Sequence, residues 1–225
     1  MASYRGHLAF SASLGFVYGG MAANQLEFDH PTAIVGTLLT TVGGLLPDLD
    51  SDSGVPVREL FGLAAVLVPA LLWRRLMNAN FSDEELFVFL ACVYVLIRYV
   101  VSHVFRRVTV HRGMYHSIPA MLIAGLIVYL SYQHPSMRTR LFLSVGVMIG
   151  FLSHLMLDEL CSVDFSGLTI KLNKYAGSAV KFFSPSIIGT LITYLILIGL
   201  GYLAIRDYEK ATRTLVLPTW MRWRR

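Results

Sequence analysis

The sequence predicts an all-α fold, a polytopic membrane bundle, and three observations carry that expectation. Of 225 residues, 55% are hydrophobic and 15% charged, with a mean hydropathy of +0.60; an ordinary soluble domain carries about 25% charged residues. Apolar runs suited to crossing a bilayer as helix, about 17–25 residues in the general case, recur at 57–73, 86–105, 118–132, 141–157 and 187–205. Acidic and histidine side chains gather at or near the ends of apolar segments: His7, Asp48, Asp50, His111, His116, His154 and Asp158. Such groups are costly in an apolar protein unless they pair with one another or hold a cation, so a metal site on one membrane face is expected.

Each element has its own signal. Two Gly- and Thr-rich runs, 8–23 and 31–46, precede the five spans and are either further spans or half-buried helices packed against the others. Strands are not expected, because the apolar runs are continuous and open sheet edges are not tolerated in lipid. The first residues carry one arginine, Arg5, and are not followed by the apolar core and cleavage site of a signal peptide. Ser82 and Glu85 form a capping box ahead of Leu86, and Ser117 with Pro119 marks a helix start just after His116. The longest non-apolar stretch, 159–186, contains Gly167, Gly177, Pro185 and three lysines, which predicts a folded loop or cap over one membrane face. Cys92 and Cys161 support no disulfide framework. The chain, 1–225, reads as one membrane-embedded helical domain without internal repeats.

Counting crossings tests whether the ionisable groups can meet. If the chain starts near His7 and all seven runs cross, Asp48 and Asp50 end the second run on the starting side, His111 and His116 fall between the fourth and fifth, and His154 and Asp158 end the sixth. All seven residues then share one face.

Helical spacing sharpens the expectation. His154 and Asp158 lie four apart, one above the other, and the same row continues back through Gly150 and Gly146. The row His7, Ser11, Gly15, Gly19, Ala23 has the same design, as does Gly36, Thr40, Gly44, Asp48. Rows of small residues let helix backbones approach closely, and by themselves serve only packing. An ionisable group at the end of every row adds a shared interior into which these groups point.

The motifs carry distinct chemistry. In Leu46-Pro47-Asp48-Leu49-Asp50, two carboxylates just past a helix either bind one ion, bridge two, or form a polar turn. In His111-Arg112-Gly113-Met114-Tyr115-His116-Ser117, two imidazoles flank a guanidinium and precede a helix N-terminus. That combination either holds a phosphate beside a metal or is a positively charged interfacial loop. Ser153-His154-Leu155-Met156-Leu157-Asp158 is the most specific piece, because a His and an Asp one turn apart at the end of an apolar helix have little structural use unless satisfied. Arg98 lies inside an apolar run, where a charge is functional by default unless it snorkels to the interface. His103 reads as interfacial, and His30 and His134 as solvated loop residues on the opposite face.

In this order, the early His7, Leu-Pro-Asp-Leu-Asp at 46–50, His-Arg-Gly-x-x-His-Ser at 111–117 and Ser-His-x-x-x-Asp at 153–158 resemble the YdjM-type family of predicted membrane-bound metal-dependent hydrolases, over roughly residues 5–190. That family is thought to be distantly similar to zinc-dependent phospholipase C. The resemblance implies an all-helical phosphoesterase-like site with His7, Asp48, Asp50, His111, His116, His154 and Asp158 as candidate ligands.

Four histidines and three aspartates suit zinc first, with manganese or iron as alternatives, and exceed the needs of one catalytic ion. Two divalent ions about 3.5–4 Å apart would activate water and stabilise the attacking and leaving oxygens of a phosphoester. Asp50, Asp158 and Glu159 are the candidate catalytic carboxylates and Arg112 the candidate anion-binding group. A site near the lipid interface points to membrane lipids as surroundings and to a lipid or lipid-linked phosphoester as substrate; the sequence specifies neither headgroup nor oligomeric state. The competing class is a non-catalytic membrane protein with a structural or transported ion, although carriers usually bind near the midplane. The net charge of +5 is spread over membrane ends and gives no reason to invoke nucleic acid. Arg206, Lys210, Arg213, Arg222, Arg224 and Arg225 near the end of the chain favour a cytoplasmic C-terminus in a bacterial or archaeal cytoplasmic membrane, with the site outside.

Overall fold

Helix α1 (Tyr4–Asn24) begins at Ser3, whose hydroxyl accepts from Gly6 N–H at 3.2 Å. Helix α2 (His30–Gly43) begins at Asp29 with a proline in its first turn, where a missing N–H costs nothing. A 3-10 turn (Leu46–Asp50) leads to α3 (Gly54–Met77). The expected box caps α4 (Asp83–Val95): Glu85 N–H donates to Ser82 Oγ at 3.2 Å and Ser82 N–H to Glu85 Oε2 at 2.9 Å. α4 runs on into a π-helical segment (Leu96–Val101). Ser117 caps α5 (Ile118–Ser131), Ser136 caps α6 (Met137–Leu160), and a long α7 (Ile187–Val216) closes the described chain. The computed structural model describes residues 3–50, 54–79, 81–103, 114–166, 169–172, 181–184 and 186–216.

The architecture is helical, with one departure from expectation. Within the stretch 159–186, β1 (Val163–Ser166) and β2 (Thr169–Leu172) pair antiparallel, Val163 opposite Leu172 and Phe165 opposite Ile170. The sequence alternates apolar and polar there, which is strand period, and the segment lies outside the apolar runs, so the argument against strands in lipid does not reach it. The chain then returns to α5, where Ile118 N–H donates to the Lys181 carbonyl at 3.1 Å.

The small-residue rows are the seams of the bundle. On α1 they bury His7, Ser11, Gly15 and Gly19, on α2 Gly36 and Thr40, and on α6 Gly146, Gly150, His154 and Asp158. A methyl group on Gly150 would run into the Thr40 carbonyl, one on Gly44 into Ser11, and one on Gly43 into the Val147 backbone. α2 therefore touches α1 and α6 backbone to backbone. Ser11 Oγ donates to the Thr41 carbonyl at 3.1 Å, and Tyr18 Oη to the Phe142 carbonyl at 2.7 Å. Ala22 rather than Ala23 is fully buried at the end of the first row. At about 100° per residue a strict i+4 row drifts about 40° per step, and Ala22 lies nearer the azimuth of His7.

At the opposite end, arginines hold the terminal carbonyls. Arg140, buried on α6, donates through Nε and Nη2 to the Tyr129 carbonyl at 3.3 and 3.0 Å, and its Nη2 lies 2.6 Å from Asp207 Oδ2 on α7. Arg75 Nη1 reaches the Leu130 carbonyl at 3.1 Å, and Arg138 Nη2 the Leu26 carbonyl at 2.5 Å.

Among the described residues two helices are long and apolar enough to cross a membrane, Met137–Leu160 and Ile187–Thr212, the latter with its apolar window exposed on the outside of the bundle. The count of five spans is not reached on this criterion. The run at 118–132 yields the 14-residue Ile118–Ser131, about 21 Å at 1.5 Å per residue and short of a roughly 30 Å hydrocarbon core. The run at 86–105 changes from α to π at Leu96.

Candidate metal centre

Four segments deliver ligand-type side chains to one end of the bundle. His7 comes from the first turn of α1, Asp48 from the 3-10 turn after α2, His116 from the residues leading into α5, and His154 and Asp158 from the last two turns of α6. His7, His116, His154 and Asp158 are buried and Asp48 is half-buried. Within His7, His154 and Asp158, and within Asp48, His116 and His154, one potential ligand atom per residue lies within 4.8 Å of the others.

Local sequence explains the convergence. The glycine contacts between α2 and its neighbours bring the ends of α1, α2 and α6 side by side, and the i+4 spacing sets Asp158 over His154. Before α5, Ser117 Oγ donates to the Met114 carbonyl and accepts from Ala120 N–H at 3.3 Å. This closes a tight turn that turns His116 inward.

The geometry suits an ion better than a hydrogen-bonded cluster. His154 Nε2 lies 3.7 Å from Asp48 Oδ1 and 3.8 Å from Asp158 Oδ2, and His116 Nε2 lies 4.0 Å from Asp158 Oδ2. These separations exceed hydrogen-bond length yet approach the roughly 3.4 Å edge of a tetrahedron with bonds of about 2.1 Å. His154 Nε2 is buried with no hydrogen-bond partner among the described residues, while its Nδ1 sits 2.7 Å from the Gly44 carbonyl oxygen. A carbonyl accepts, so Nδ1 carries the proton and Nε2 presents its lone pair to the cluster, as outer partners of metal-binding histidines do. His7 stacks on His154 at 3.7 Å between ring centroids and 12° between planes, with its Nε2 3.2 Å from Asp158 Oδ1.

Five of the seven expected ligand residues are thus brought together. His111, the expected anion-binding Arg112 and the side chain of Asp50 lie outside the described residues. Glu159 is half-buried and sits one residue beyond Asp158, about 100° round the helix from it. His103 and His30 are exposed, and His134 stacks on Tyr132 at the far end. Arg98 lies over Gly62 of α3, its Nη1 3.4 Å from where a Cβ would stand. The Gly44 carbonyl is the site group that sequence reasoning missed; its place one turn before Asp48 was the available signal, read only as packing.

A family model for YdjM inner membrane proteins matches residues 1–221, nearly the whole chain and all the segments that build the cluster. The chain belongs to the YdjM inner membrane protein family. It is accordingly an inner membrane protein, and its buried His/Asp group could hold a metal ion. Comparison with curated proteins and with solved structures gives no match.

Proposed function

We propose that the protein is a membrane-bound metal-dependent hydrolase acting on a phosphoester of a lipid or lipid-linked substrate. The observation that carries the reading is the buried His154 Nε2, oriented by the Gly44 carbonyl and faced by two carboxylates at the end of an apolar bundle. Asp48, His116, His154 and Asp158 would hold the metal, zinc first by donor chemistry with manganese and iron as alternatives, and the number of ligand-type residues favours two ions. A bound divalent ion supplies a water of lowered pKa and a Lewis acid for the phosphoryl oxygen. The protein's own groups do the rest. Apolar helices around the cluster exclude bulk water, Arg112 and the start of α5 attract the anionic phosphate, and Glu159 or an Asp not engaged by metal takes the proton from water.

The same reading includes five spans over the runs from 57–73 to 187–205, a cytoplasmic C-terminus in a bacterial or archaeal membrane, lipids as neighbours and no nucleic acid partner. A second reading has support in the same geometry: the cluster ties four segments together, so an ion there would also lock the fold. Elemental analysis of purified protein, combined with hydrolysis of a phospholipid and lipid-phosphate panel, tests both. Bound metal with turnover supports the hydrolase; bound metal without turnover, together with unfolding on chelation, replaces it with the structural ion.

A further inference from the structure

We infer that Arg98 holds the phosphate of an anionic phospholipid in a groove between α3 and α4. The inference rests on the runs 57–73 and 86–105 lying in the bilayer and draws nothing from the His/Asp cluster. From Leu86 to Phe105 the sequence holds one Lys or Arg, Arg98, and no acid. At 1.5 Å per residue Arg98 stands about 18 Å beyond Leu86 in a hydrocarbon core of roughly 30 Å. An arginine carries its charge wherever it stands, so at that depth it snorkels to water or meets an anion.

The guanidinium does not snorkel. α3 and α4 pack as an antiparallel pair, and Gly62 before Met77 and Arg98 after Asp83 stand equally far from the turn that joins the helices. A Cβ at Gly62 would lie 3.4 Å from Arg98 Nη1 and 3.7 Å from its Cζ. The side chain therefore reaches across to α3 at its own depth instead of running along α4 to an interface, and the missing side chain at Gly62 leaves the seat it takes. The backbone departs from α-helix at the same residue. Arg98 lies in the π-helical segment, where Ser102 N–H donates to the Ile97 carbonyl and Ser102 Oγ to the Arg98 carbonyl at 2.6 Å. Such turns are rare and concentrate at functional sites, and no proline or glycine forces this one.

The groove opens toward lipid. Gly62 and Arg98 are half-buried, whereas Leu63 and Val66 on α3 and Val95, Leu96 and Tyr99 beside Arg98 are exposed. A ligand that arrives from that side brings acyl chains with it. Guanidinium matches phosphate through two parallel hydrogen bonds, and of its five N–H donors one carboxylate takes two, so a partner within the protein still leaves donors for a lipid. Local thinning of the bilayer, which lowers the cost of an arginine at this depth, brings headgroups toward it. Glu59, three residues before Gly62, makes a plain ion pair the competing account.

The test places the full-length protein, carrying Trp73→Phe, Trp220→Phe, Trp223→Phe and Tyr99→Trp, in vesicles with brominated phosphatidylglycerol or brominated phosphatidylcholine as quencher. Fluorescence at position 99 should report a preference for phosphatidylglycerol of about tenfold, as for a hydrogen bond to a charged group. Arg98→Gln should abolish the preference, and Gly62→Leu, which fills the seat and keeps the charge, should weaken it. Inorganic phosphate in the buffer should not displace the lipid. Equal quenching by the two lipids, a preference that survives Arg98→Gln, or displacement by free phosphate overturns the inference. If Arg98→Gln does not fold, the preference of the parent and its response to Gly62→Leu decide. No preference in the parent, with an Arg98→Gln protein that folds only when Glu59→Gln is added, makes Arg98 a structural counter-ion. Quenching by neither lipid puts α4 outside the bilayer and removes the span reading together with the site.

Discussion

His154 Nδ1 lies 2.7 Å from the carbonyl oxygen of Gly44, the residue whose missing side chain also lets α2 close on Ser11 of α1. Packing and ligand orientation thus meet at one peptide group. A methyl at position 44 would strike Ser11 Cβ, forcing the backbone to shift and carrying the carbonyl away from the imidazole. Gly44→Ala should therefore lower metal affinity by about 10–100-fold in calorimetric titration, as loss of an outer partner does. Unchanged affinity would mean that the carbonyl does not set the ligand.

Removing a ligand should cost more than removing its orienter. His154→Ala and Asp158→Ala are expected to abolish turnover on a lipid-phosphate substrate and to lower metal content in elemental analysis, while melting of the stripped proteins in detergent changes little. Both residues lie at the end of α6, beyond the glycine contacts that hold the helices together. If both variants unfold and the parent hydrolyses nothing, the ion is structural.

The seams make a separate prediction about stability. At Gly150 an added Cβ meets the Thr40 backbone, which cannot yield as a flexible side chain would, so Gly150→Ala should cost about 1–3 kcal/mol, as overpacking a tight interior does. Gly199→Ala, on α7 where a Cβ meets nothing within 4 Å, is the control and should stay within about 0.5 kcal/mol. Thermal unfolding of both in detergent checks the difference.

Arg140 and Asp207 join α6 to α7 far from the metal cluster. Arg140 is 6% exposed and Asp207 sits 2.6 Å from its Nη2, so Asp207→Asn should destabilise by up to about 3–5 kcal/mol, the cost of leaving a buried charge uncompensated. Arg140→Met combined with Asp207→Leu should recover most of that loss. Metal stoichiometry per folded molecule should be the same in all of them.

The residues that made the site legible were those whose partners lie on the same helix. Asp158 over His154, Gly150 behind them and Ser11 above His7 follow from helical spacing alone, and the close glycine contacts between the rows bring them together. Contacts set by tertiary approach were not legible. Nothing at position 140 announces position 207, and Arg140 reads as one more interfacial charge. The π-helical segment at Leu96–Val101 has no proline or glycine to mark it, and the short hairpin at 163–172 was masked by the length of its loop. Among the described residues two helices meet the length and hydropathy of a span rather than the expected five; hydropathy and helix length diverge at Ile118–Ser131, which is apolar throughout but stops after 14 residues.

The last prediction concerns sidedness. His7, His116 and Asp158 sit at the end of the bundle where α1 and α5 begin and α6 finishes, whereas the turn between α3 and α4 belongs to the other end. Cys161 is exposed, three residues beyond Asp158, and Asn78 is exposed in that far turn. In a Cys92→Ser background, an impermeant thiol reagent should reach Cys161 from one side of sealed membrane vesicles and an Asn78→Cys thiol from the other. Labelling of both from one side would mean that neither α3 nor the α4 segment crosses between Asp48 and His116, which would leave the cluster intact but remove two of the expected spans.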